Sequence, residues 1–463
     1  MIQSRYLIAA AGFVIIELLL NAYGPGIPSA AAQATVEQVQ TILREANALK
    51  DQGRWAETIT ALDRAIGLDP NSALAYIDRS VAHRALGQWD QALADAEKAV
   101  ELAPGSAKAY SNRGTTYRRR GDLDRALRDA DRAIELDPND PFGWDHRAAT
   151  YTSLGAYDRA VSDATKALEL DPRMAFAYET RAGALNELGQ PERGLADASK
   201  AIELEPRYVA AYVHRATANR MLRRFEDALA DANKAMQLEP RYPFSYLERA
   251  RIHVGLGRFE NALADADKAI QLEPRLAYSY TVRARIHVDM GRFKNVIADS
   301  SKAIELDPKM SDAYSVRAAA YVDLGQNDKG IANATKALEL DPKLAQAFSV
   351  RARAYSRLGQ LERAVADATR AIELDSPMSA AYDTRGVAYL QLREYEKAVR
   401  DFTRVMELDP SHGRAILYRG AAYLGLYRER EAEADFQTAV SRGMNPALVE
   451  GVKGEIKRMR PAK

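Results

Sequence analysis

Apolar and small residues recur along the chain at intervals of three or four positions, in short segments that come in pairs. In one pair, the first segment aligns Tyr76 with Ser80, and the second aligns Ala92 with Ala96. Side chains at this spacing lie on one face of a helix. Gly87 separates the two segments, where the end of a helix and the following turn favour a residue that tolerates a positive φ. The pattern predicts two helices joined by a short turn.

The paired segments repeat with a fixed period of 34 residues, which is marked by proline. The prolines are Pro70, Pro104, Pro138, Pro172, Pro206, Pro240, Pro274, Pro308, Pro342 and Pro410, and Ser376 with Pro377 occupies the remaining position. Such a period indicates stacked copies of one supersecondary unit. With the proline as position 32, twelve copies begin at Val39, Ala73, Ala107, Pro141, Ala175, Val209, Pro243, Ala277, Ser311, Ala345, Ser379 and Gly413. We expect helix A at positions 1–14 and helix B at positions 18–31 of each copy.

Small residues at fixed positions predict a close approach of the two helices. Position 20 is alanine in eight copies, which are those of Ala92, Ala126, Ala160, Ala228, Ala262, Ala364, Ala398 and Ala432. Position 27 is alanine in every copy from Ala65 to Ala371. Small side chains let two helices pack closely, and the tyrosines of positions 4 and 11 are predicted to fill the space between copies.

These residues together resemble the tetratricopeptide repeat family, which has an aromatic residue at position 4. Here position 4 is Tyr76, Tyr110, Trp144, Tyr178, Tyr212, Tyr246, Tyr280, Tyr314, Phe348 and Tyr382. The resemblance covers residues 39–446. It implies an all-α fold, an α-solenoid wound as a right-handed superhelix, with a concave groove that is lined by helices A and binds other proteins. The groove positions it implies are 2, 5, 9, 12, 13, 33 and 34.

One departure from the family is systematic. Position 7, usually leucine, is arginine in eleven copies: Arg79, Arg113, Arg147, Arg181, Arg215, Arg249, Arg283, Arg317, Arg351, Arg385 and Arg419. Position 23 is aspartate in ten: Asp95, Asp129, Asp163, Asp197, Asp231, Asp265, Asp299, Asp367, Asp401 and Asp435. The two positions lie opposite each other in a helical hairpin, so we expect an internal Arg–Asp ladder that fixes the register of the helices. The alternative is a row of charges with a catalytic or ligand-binding role.

Composition narrows the class of partner. The 65 basic and 64 acidic residues give no basic excess of the kind that nucleic-acid binding requires. The chain has no cysteine, which excludes disulfides and thiolate metal sites. A single globular core rarely grows to 463 residues, but a solenoid can, because each copy buries surface only against its neighbours.

The N-terminal segment is distinct from the repeats. Residues 7–20 are apolar except for Glu17, a helix-breaking stretch follows, and Ala32-Gln33-Ala34 matches an Ala-x-Ala cleavage site. This layout predicts a cleaved signal peptide over residues 1–34, because the apolar run is short for a bilayer span. We therefore expect a bacterial periplasmic or secreted protein with no stable membrane insertion after cleavage. The alternatives are a protein anchored by an uncleaved N-terminal segment and an N-terminal tail without a targeting role.

No catalytic motif is present in the sequence, and we expect neither an enzyme nor a cofactor. Residues 447–463 are predicted to form a capping helix with a basic end. His83, His253 and His287 stand at position 11, where tyrosine is usual. We expect these histidines to pack as tyrosine does and no metal to bind; a weak metal site between His253 and His287 is the alternative.

The candidate site is an aromatic and basic stretch of the groove in the middle copies. Its aromatic residues are Phe142, Phe176, Phe244 and Tyr278 at position 2, with Tyr208 and Tyr242 at position 34. Its basic residues are Arg207, Arg241 and Arg275 at position 33, with Arg251 and Arg285 at position 9. Such a surface suits an extended partner with apolar and acidic side chains. The alternative is that the aromatic rings seal neighbouring copies and the arginines are solvated.

Two functions remain open. The first is a non-catalytic scaffold that binds an extended segment of a protein partner, in the cell envelope. The second is a regulatory or glycan-binding subunit of a separate polysaccharide or glycosyl-transfer machine. The family's chaperone-type clamp for a C-terminal carboxylate is not expected, because only Asn47 and Lys108 agree with its motif among the matching residues Leu43, Asn47, Asp78, Lys108 and Asn112.

Overall fold

The computed structural model describes residues 30–375 and 377–459. It divides into two compact units, one ending at Leu222 and the other beginning at Arg223. Residues 1–29 of the predicted signal peptide lie outside the described residues. Among the helices that are described, none combines the length and the apolar character needed to span a bilayer.

The first unit is a row of helices in which helix A and helix B alternate. They are α1 (Ala30–Asp51), α2 (Trp55–Leu68), α3 (Ala73–Ala85), α4 (Trp89–Leu102), α5 (Ala107–Arg119), α6 (Leu123–Leu136), α7 (Pro141–Ser153), α8 (Tyr157–Leu170), α9 (Ala175–Glu187), α10 (Pro191–Leu204) and α11 (Val209–Met221). From α1 to α9, each helix A contacts helix B of its own copy, and from α3 to α11, each helix A contacts helix B of the preceding copy. From α3 to α11, each helix A also contacts the next helix A.

The second unit continues the same alternation. Its helices are α12 (Phe225–Leu238), α13 (Pro243–Gly255), α14 (Phe259–Leu272), α15 (Ala277–Asp289), α16 (Phe293–Leu306), α17 (Ser311–Asp323), α18 (Asn327–Leu340), α19 (Ala345–Arg357), α20 (Leu361–Leu374), α21 (Ser379–Gln391), α22 (Tyr395–Leu408), α23 (Gly413–Gly425), α24 (Glu429–Ser441) and α25 (Pro446–Met459). The regular elements of residues 30–375 and 377–459 are all helices, packed in successive pairs, which confirms the predicted all-α solenoid.

The helix bounds differ slightly from the prediction. In most copies helix A covers positions 1–13 and helix B covers positions 17–30, so that both end one residue earlier than expected. The first helix departs more: α1 begins at Ala30 instead of Val39. The last helix, α25, begins at Pro446, one residue before the predicted start at residue 447.

A residue with positive φ follows each helix A. It is a glycine at Gly53, Gly87, Gly121, Gly155, Gly189, Gly257, Gly291, Gly325 and Gly359, and the same conformation is adopted by Arg223, Arg393 and Tyr427 with φ of 60°, 63° and 60°. The Gly87 N–H donates to the carbonyl of Arg84 at 3.0 Å, and the Gln88 N–H donates to that of His83 at 2.9 Å. These bonds satisfy carbonyl groups that the end of a helix leaves without partners, so the turn keeps one geometry even without glycine.

The small residues bring the two helices of a copy together as predicted. Ala92 and Ala99 have no exposed surface, and the Ser80 hydroxyl of the facing helix donates to the Ala92 carbonyl at 2.7 Å. At Gly114 an added Cβ would lie 3.2 Å from the Ala126 carbonyl oxygen of helix B. A large side chain at these positions would therefore push the helices apart.

The predicted Arg–Asp ladder is present. Its pairs are Arg79–Asp95, Arg113–Asp129, Arg147–Asp163, Arg181–Asp197, Arg249–Asp265, Arg283–Asp299, Arg351–Asp367, Arg385–Asp401 and Arg419–Asp435. In one of them, Nε and Nη2 of Arg113 donate to both carboxylate oxygens of Asp129 at 2.8 and 2.7 Å. These aspartates are only 5–9% exposed, so each buried carboxylate has a bidentate partner. The ladder confirms the structural interpretation of the two positions.

Some of the same arginines also form ion pairs with helix B of the preceding copy. The sequence did not predict these contacts. Nη1 of Arg147 donates to Asp131 of the preceding helix B at 2.8 Å, and the Arg147 guanidinium lies 4.9 Å from the centre of the Trp144 ring. Arg283 repeats the first contact with Asp267 at 2.6 Å. One side chain therefore holds its own hairpin, the preceding copy and the aromatic residue of position 4.

Helix α25 covers the end of the second unit. It contacts α23 and α24, and its Val449 and Ile456 are 2% and 3% exposed within a core that includes Leu417 and Phe436. Residues 460–463 of the predicted helix lie outside the described residues.

Candidate functional site

The candidate residues lie where neighbouring helices A meet. We define the helix A surface as positions 2, 5, 6, 9, 12 and 13 of these helices, with positions 33 and 34 of the turn before each of them. Four candidates belong to the first unit: Phe142, Phe176, Arg207 and Tyr208. Seven belong to the second: Arg241, Tyr242, Phe244, Arg251, Arg275, Tyr278 and Arg285.

In the first unit, two phenylalanines are open to solvent. Phe142 is 49% exposed and Phe176 is 47% exposed. With Met174 and Leu204 they line a depression of about 340 Å³, and Arg173 is among its charged residues. Half-exposed phenylalanines beside a depression can take up an apolar side chain of a partner, since aromatic anchors supply much of the energy of interfaces.

The third aromatic residue of the first unit has a structural role. The Tyr208 ring meets that of Phe176 edge to face, with ring centres 5.1 Å apart. Its hydroxyl donates to Glu179 at 2.9 Å, and Nε2 of His214 lies 3.0 Å from the other oxygen of that carboxylate. Burial alone would raise the pKa of Glu179, but the hydrogen bonds and charge of its neighbours lower that pKa below its usual value. Tyr208 thus holds a half-buried carboxylate in place.

In the second unit, the aromatic residues seal neighbouring copies. The Phe244 ring lies between those of Tyr242 and Tyr278, with ring centres 5.4 and 6.2 Å apart, and all three are half-buried. Ring contacts of this kind join the end of one copy, which carries Tyr242, to helix A of the next copy and to helix A of the copy after it. These contacts are the ones that the structural alternative describes, and a binding role for the three rings stays a prediction.

The candidate arginines of the second unit have partners within the chain or lie in water. The Arg251 guanidinium stands 5.3 Å from the Tyr278 ring centre and 3.7 Å from the Glu248 carboxylate. Arg285 forms an ion pair with Asp312. The position 33 arginines of this unit, Arg241 and Arg275, are exposed in the turns between copies, and within the described residues their side chains form no hydrogen bond or ion pair; the same is true of Arg207 in the first unit.

The residues at position 12 differ in chemical character between the two units. In the first unit it holds the polar or basic residues Lys50, Arg84, Arg118, Thr152, Asn186 and Arg220. In the second it holds Val254, Val288, Val322, Ser356, Leu390 and Leu424. Position 12 side chains reach the next helix A, as shown by Lys50, whose ammonium lies 4.0 Å from the Asp78 carboxylate. The first unit therefore carries a row of basic side chains along the helix A surface.

Two arginines of this row are half-buried without a carboxylate partner. Nη1 of Arg84 donates to the backbone oxygen and Oδ1 of Asn112, at 3.2 and 2.6 Å, and to the Thr116 hydroxyl at 2.9 Å. Arg118 forms no hydrogen bond or ion pair within residues 30–375 and 377–459. Burial, together with the charge of neighbouring arginines such as Arg119, lowers the pKa of both Arg84 and Arg118 to about 10.

The positive field of these arginines extends to the fourth copy. Nδ1 of His146 lies 3.2 Å from the Thr115 hydroxyl, and burial with the charges of Arg118 and Arg84 lowers the pKa of His146 to about 3. Its neighbour Asp145 is 6% exposed, and burial raises the pKa of that carboxyl to about 7. The Phe142 and His146 rings, with centres 6.4 Å apart, connect this charged region to the apolar depression.

The sequence contains a signal for Arg84 and Arg118 that the predicted site leaves out. Position 12 is among the groove positions that the resemblance implies, and it is basic in each of the first three copies. The predicted basic candidates came from positions 9 and 33 instead. What no pattern could show is that these arginines lack a carboxylate partner.

The position 11 histidines take the place of tyrosine in the packing. His253 and His287 are 9% and 7% exposed, and Nε2 of each lies 3.8 Å from the aspartate of its own copy. Burial lowers the pKa of both imidazoles. No group of three or more histidine or carboxylate side chains suited to a metal ion occurs in the described part of the chain.

Sequence comparisons identify the repeat. Models described as tetratricopeptide repeat match residues 43–107, 107–140, 143–174, 245–276, 277–310, 311–344, 333–366 and 379–412, which together cover more than half of the chain. No protein of curated function matches the sequence at a significant level.

Solved structures of similar fold include the hetero-tetramer Cut9–Hcn1 of the APC/C, at 12% identity over 90% of this chain and 96% of the other, with a TM-score of 0.52. Yeast Tom70 is 17% identical over 85% of this chain and 96% of its own, with a TM-score of 0.45. A thermophilic tetratricopeptide repeat protein of Thermus thermophilus is 25% identical over 39% of this chain and 99% of its own, with a TM-score of 0.38. The first of these comparisons shows a shared fold.

Proposed function

The chain belongs to the tetratricopeptide repeat family, and from this membership we propose that it is a non-catalytic scaffold that binds an extended segment of a partner protein along its helix A surface. The packing positions are nearly constant from copy to copy, whereas the positions of the helix A surface vary. A repeat whose core is fixed can carry a different side chain at each surface position, which suits recognition of an extended chain.

The exposure of Phe142 and Phe176 is the observation that carries this proposal. The two rings form an exposed apolar patch beside a depression, and a contiguous apolar patch with a polar edge marks an interaction site. The charged residues Asp171, Arg173 and Glu205 line the same depression. An apolar centre with a polar edge is the usual anatomy of a protein interface.

The test is capture of a partner from a cell-envelope extract by the full-length protein. We expect the double substitution Phe142→Ser and Phe176→Ser to lose the partner that the unchanged protein captures, because the apolar anchors are gone. Leu154→Ser is the matched control, since Leu154 is 45% exposed in the same unit but lies in the turn after helix A. Equal capture by both variants would remove the first unit's aromatic residues from the proposed site. Far-UV circular dichroism verifies that each variant is folded.

We further propose that the protein acts in the bacterial cell envelope after removal of residues 1–34. The measurement is N-terminal sequencing of the protein recovered from fractionated cells. A first residue of Thr35 in the periplasmic fraction is the expected result. An intact N-terminus in the membrane fraction would favour the anchored form, and an intact N-terminus in the cytoplasm would contradict export.

A further inference from the structure

The helix A surface of the first unit has basic side chains that the protein itself leaves without counter-charges. At positions 2 and 9 of helix A in the second unit, arginines have carboxylate partners: Arg285 with Asp312, Arg353 with Asp323 and Arg414 with Asp383. Arg84 and Arg118 have no such carboxylate. Because even a half-buried cation without a counter-charge costs stability, its presence at two consecutive copies suggests a role other than folding.

Arg84 and Asn112, which are joined by a hydrogen bond, both keep N–H donors that form no hydrogen bond in the described part of the chain. Only Nη1 of Arg84 is used, and it fixes the Asn112 amide by donating to Oδ1 at 2.6 Å. Nδ2 of Asn112 then stands as a buried donor without an acceptor, on a residue that is 6% exposed. A buried amide donor that lacks an acceptor costs free energy, which an incoming oxygen atom would recover.

The nearby carboxyl groups do not supply that oxygen. Glu179 is held by Tyr208 and His214, and Asp78 lies beside Lys50. Asp145 is coupled to Arg118 through its charge, but the two side chains do not form an ion pair. The region around Arg84 and Arg118 therefore keeps a net positive charge, to which the exposed Arg119 adds.

We propose that Arg84, Asn112 and Arg118 form a binding site for a carboxylate of the partner segment, with an apolar side chain of the same segment in the depression beside Phe142 and Phe176. The site rests on the proposed function and specifies the chemistry of the segment. It differs from the family's C-terminal carboxylate clamp: of its three residues only Asn112 stands at a clamp position, and asparagine does not match the motif there. The ring of His146 lies between the two parts of the site, in contact with Thr115 on one side and near Phe142 on the other.

A carboxylate suits the charge of this region better than a phosphate does. Guanidinium and amide groups offer planar, paired N–H donors, which suit a carboxylate and a phosphate alike. A phosphate dianion would bring a second negative charge close to Asp145 and Glu179, both of which interact with Arg118. The carboxylate can come from an acidic side chain or from the C-terminus of the partner, and the two sources share one chemistry.

The experiment uses two pools of short synthetic random peptides, one with free and one with amidated C-termini. The full-length protein is immobilised, and captured peptides are identified by mass spectrometry. We expect captured peptides to combine an apolar residue with a carboxylate: enrichment of Asp or Glu in both pools assigns a side chain, and capture from the free pool alone assigns the C-terminus. Arg118→Gln should abolish this preference and weaken binding of the selected peptides by about tenfold or more, the range for a hydrogen bond to a charged group.

Arg132→Gln is the matched control, because that arginine lies on helix B of the same copy, outside the helix A surface, and is already paired with Glu135; it should leave the preference unchanged. Capture of apolar peptides without any preference for a carboxylate would overturn this inference and leave the proposed function standing. Capture of no peptide from either pool would overturn both.

Thermal unfolding separates a binding role from a structural one. Since Arg118 has no hydrogen bond or ion pair in the described part of the chain, Arg118→Gln should unfold at the same temperature as the unchanged protein or at a higher one. A marked fall in the unfolding temperature would show that Arg118 supports the fold, and the inference would then fail.

Discussion

Arginine has two different roles in this chain, and the neighbouring residues decide which one it takes. At position 7 an arginine such as Arg113 meets a buried aspartate of the facing helix with two parallel hydrogen bonds. At position 12 the facing residue belongs to the next helix A, and at Arg84 it is the neutral Asn112. The first arrangement offsets the cost of burying the charge, and the second leaves part of that cost uncompensated.

The Arg113–Asp129 pair should show strong coupling in a double-mutant cycle. Arg113→Gln and Asp129→Asn each leave one charge unpaired, so the double variant should lose less stability than the sum of the single losses. We expect a coupling of about 0.5–3 kcal/mol in the free energy of unfolding, measured by urea denaturation. The exposed pair of Arg132 and Glu135, 2.9 Å apart on one helix, is the control and should show weaker coupling. Additive losses for the first pair would mean that the bidentate contact does not hold in solution.

The charged groups of the fourth copy predict a pH dependence of stability. Burial raises the pKa of Asp145 from 3.8 to about 7, so the folded protein keeps a proton that the unfolded chain releases between these values. Stability contributed by Asp145 therefore falls as the pH rises from about 4 to about 7. The pKa of His146 is lowered from 6.5 to about 3, so its contribution rises with pH over the range from about 3 to 6.5 and opposes that of Asp145.

Single substitutions separate the two opposing contributions. Relative to the unchanged protein, Asp145→Asn should gain thermal stability as the pH rises from about 4 to about 7, because the destabilisation caused by the aspartate grows over this range. His146→Gln should gain stability relative to the unchanged protein as the pH falls below about 6. In this range the imidazole of His146 binds a proton in the unfolded chain but stays neutral in the folded protein, which favours unfolding. Differential scanning fluorimetry at several pH values measures both differences. Parallel curves for all three proteins would contradict the burial of these two groups.

At the scale of the element, each copy is a hairpin whose geometry is set by small residues and by one turn conformation. The sequence predicted the two helices because the spacing of apolar and small residues is directly readable. It placed their ends one residue too late, since the 3.6-residue period of a helix does not mark its last turn. The positive φ of Arg393 and Tyr427 was hidden, because these positions lack the glycine that indicates a left-handed turn residue elsewhere.

Close packing within a hairpin can be tested with one substitution at two sites of α14. Ala262 has no exposed surface and Ala264, on the same helix, is exposed. Ala262→Leu should lower the free energy of unfolding by about 1–3 kcal/mol, because the larger side chain has no room between the helices. Ala264→Leu should change it by less than about 0.5 kcal/mol. Equal effects in chemical denaturation would mean that position 20 does not face helix A.

At the scale of the whole molecule, the fold was far more predictable than the site. The fold follows from a period that twelve copies share, so errors in one copy do not alter the conclusion. The helix A surface has no such redundancy, because each copy carries its own side chains there. Phe142 and Phe176 could be proposed from their position, but their exposure could not, nor could the stacking that occupies Phe244 or the ion pair that occupies Arg285.

The linear arrangement of copies also predicts how far a local loss of packing affects the rest of the chain. Stability in such an array is a sum over copies and over contacts between neighbours, so a local defect should remain local. Val449→Asp with Ile456→Asp places two carboxylates in the apolar contact of α25 with α23 and α24, where both residues are nearly fully buried. We expect faster amide hydrogen exchange in the last copies, followed by mass spectrometry, and unchanged exchange in α1–α10. Leu448→Asp is the control, because Leu448 is 51% exposed on the same helix and should leave exchange unchanged throughout. Faster exchange over the whole chain in the double variant would show that the copies unfold as one cooperative unit, and the nearest-neighbour description of this solenoid would then be wrong.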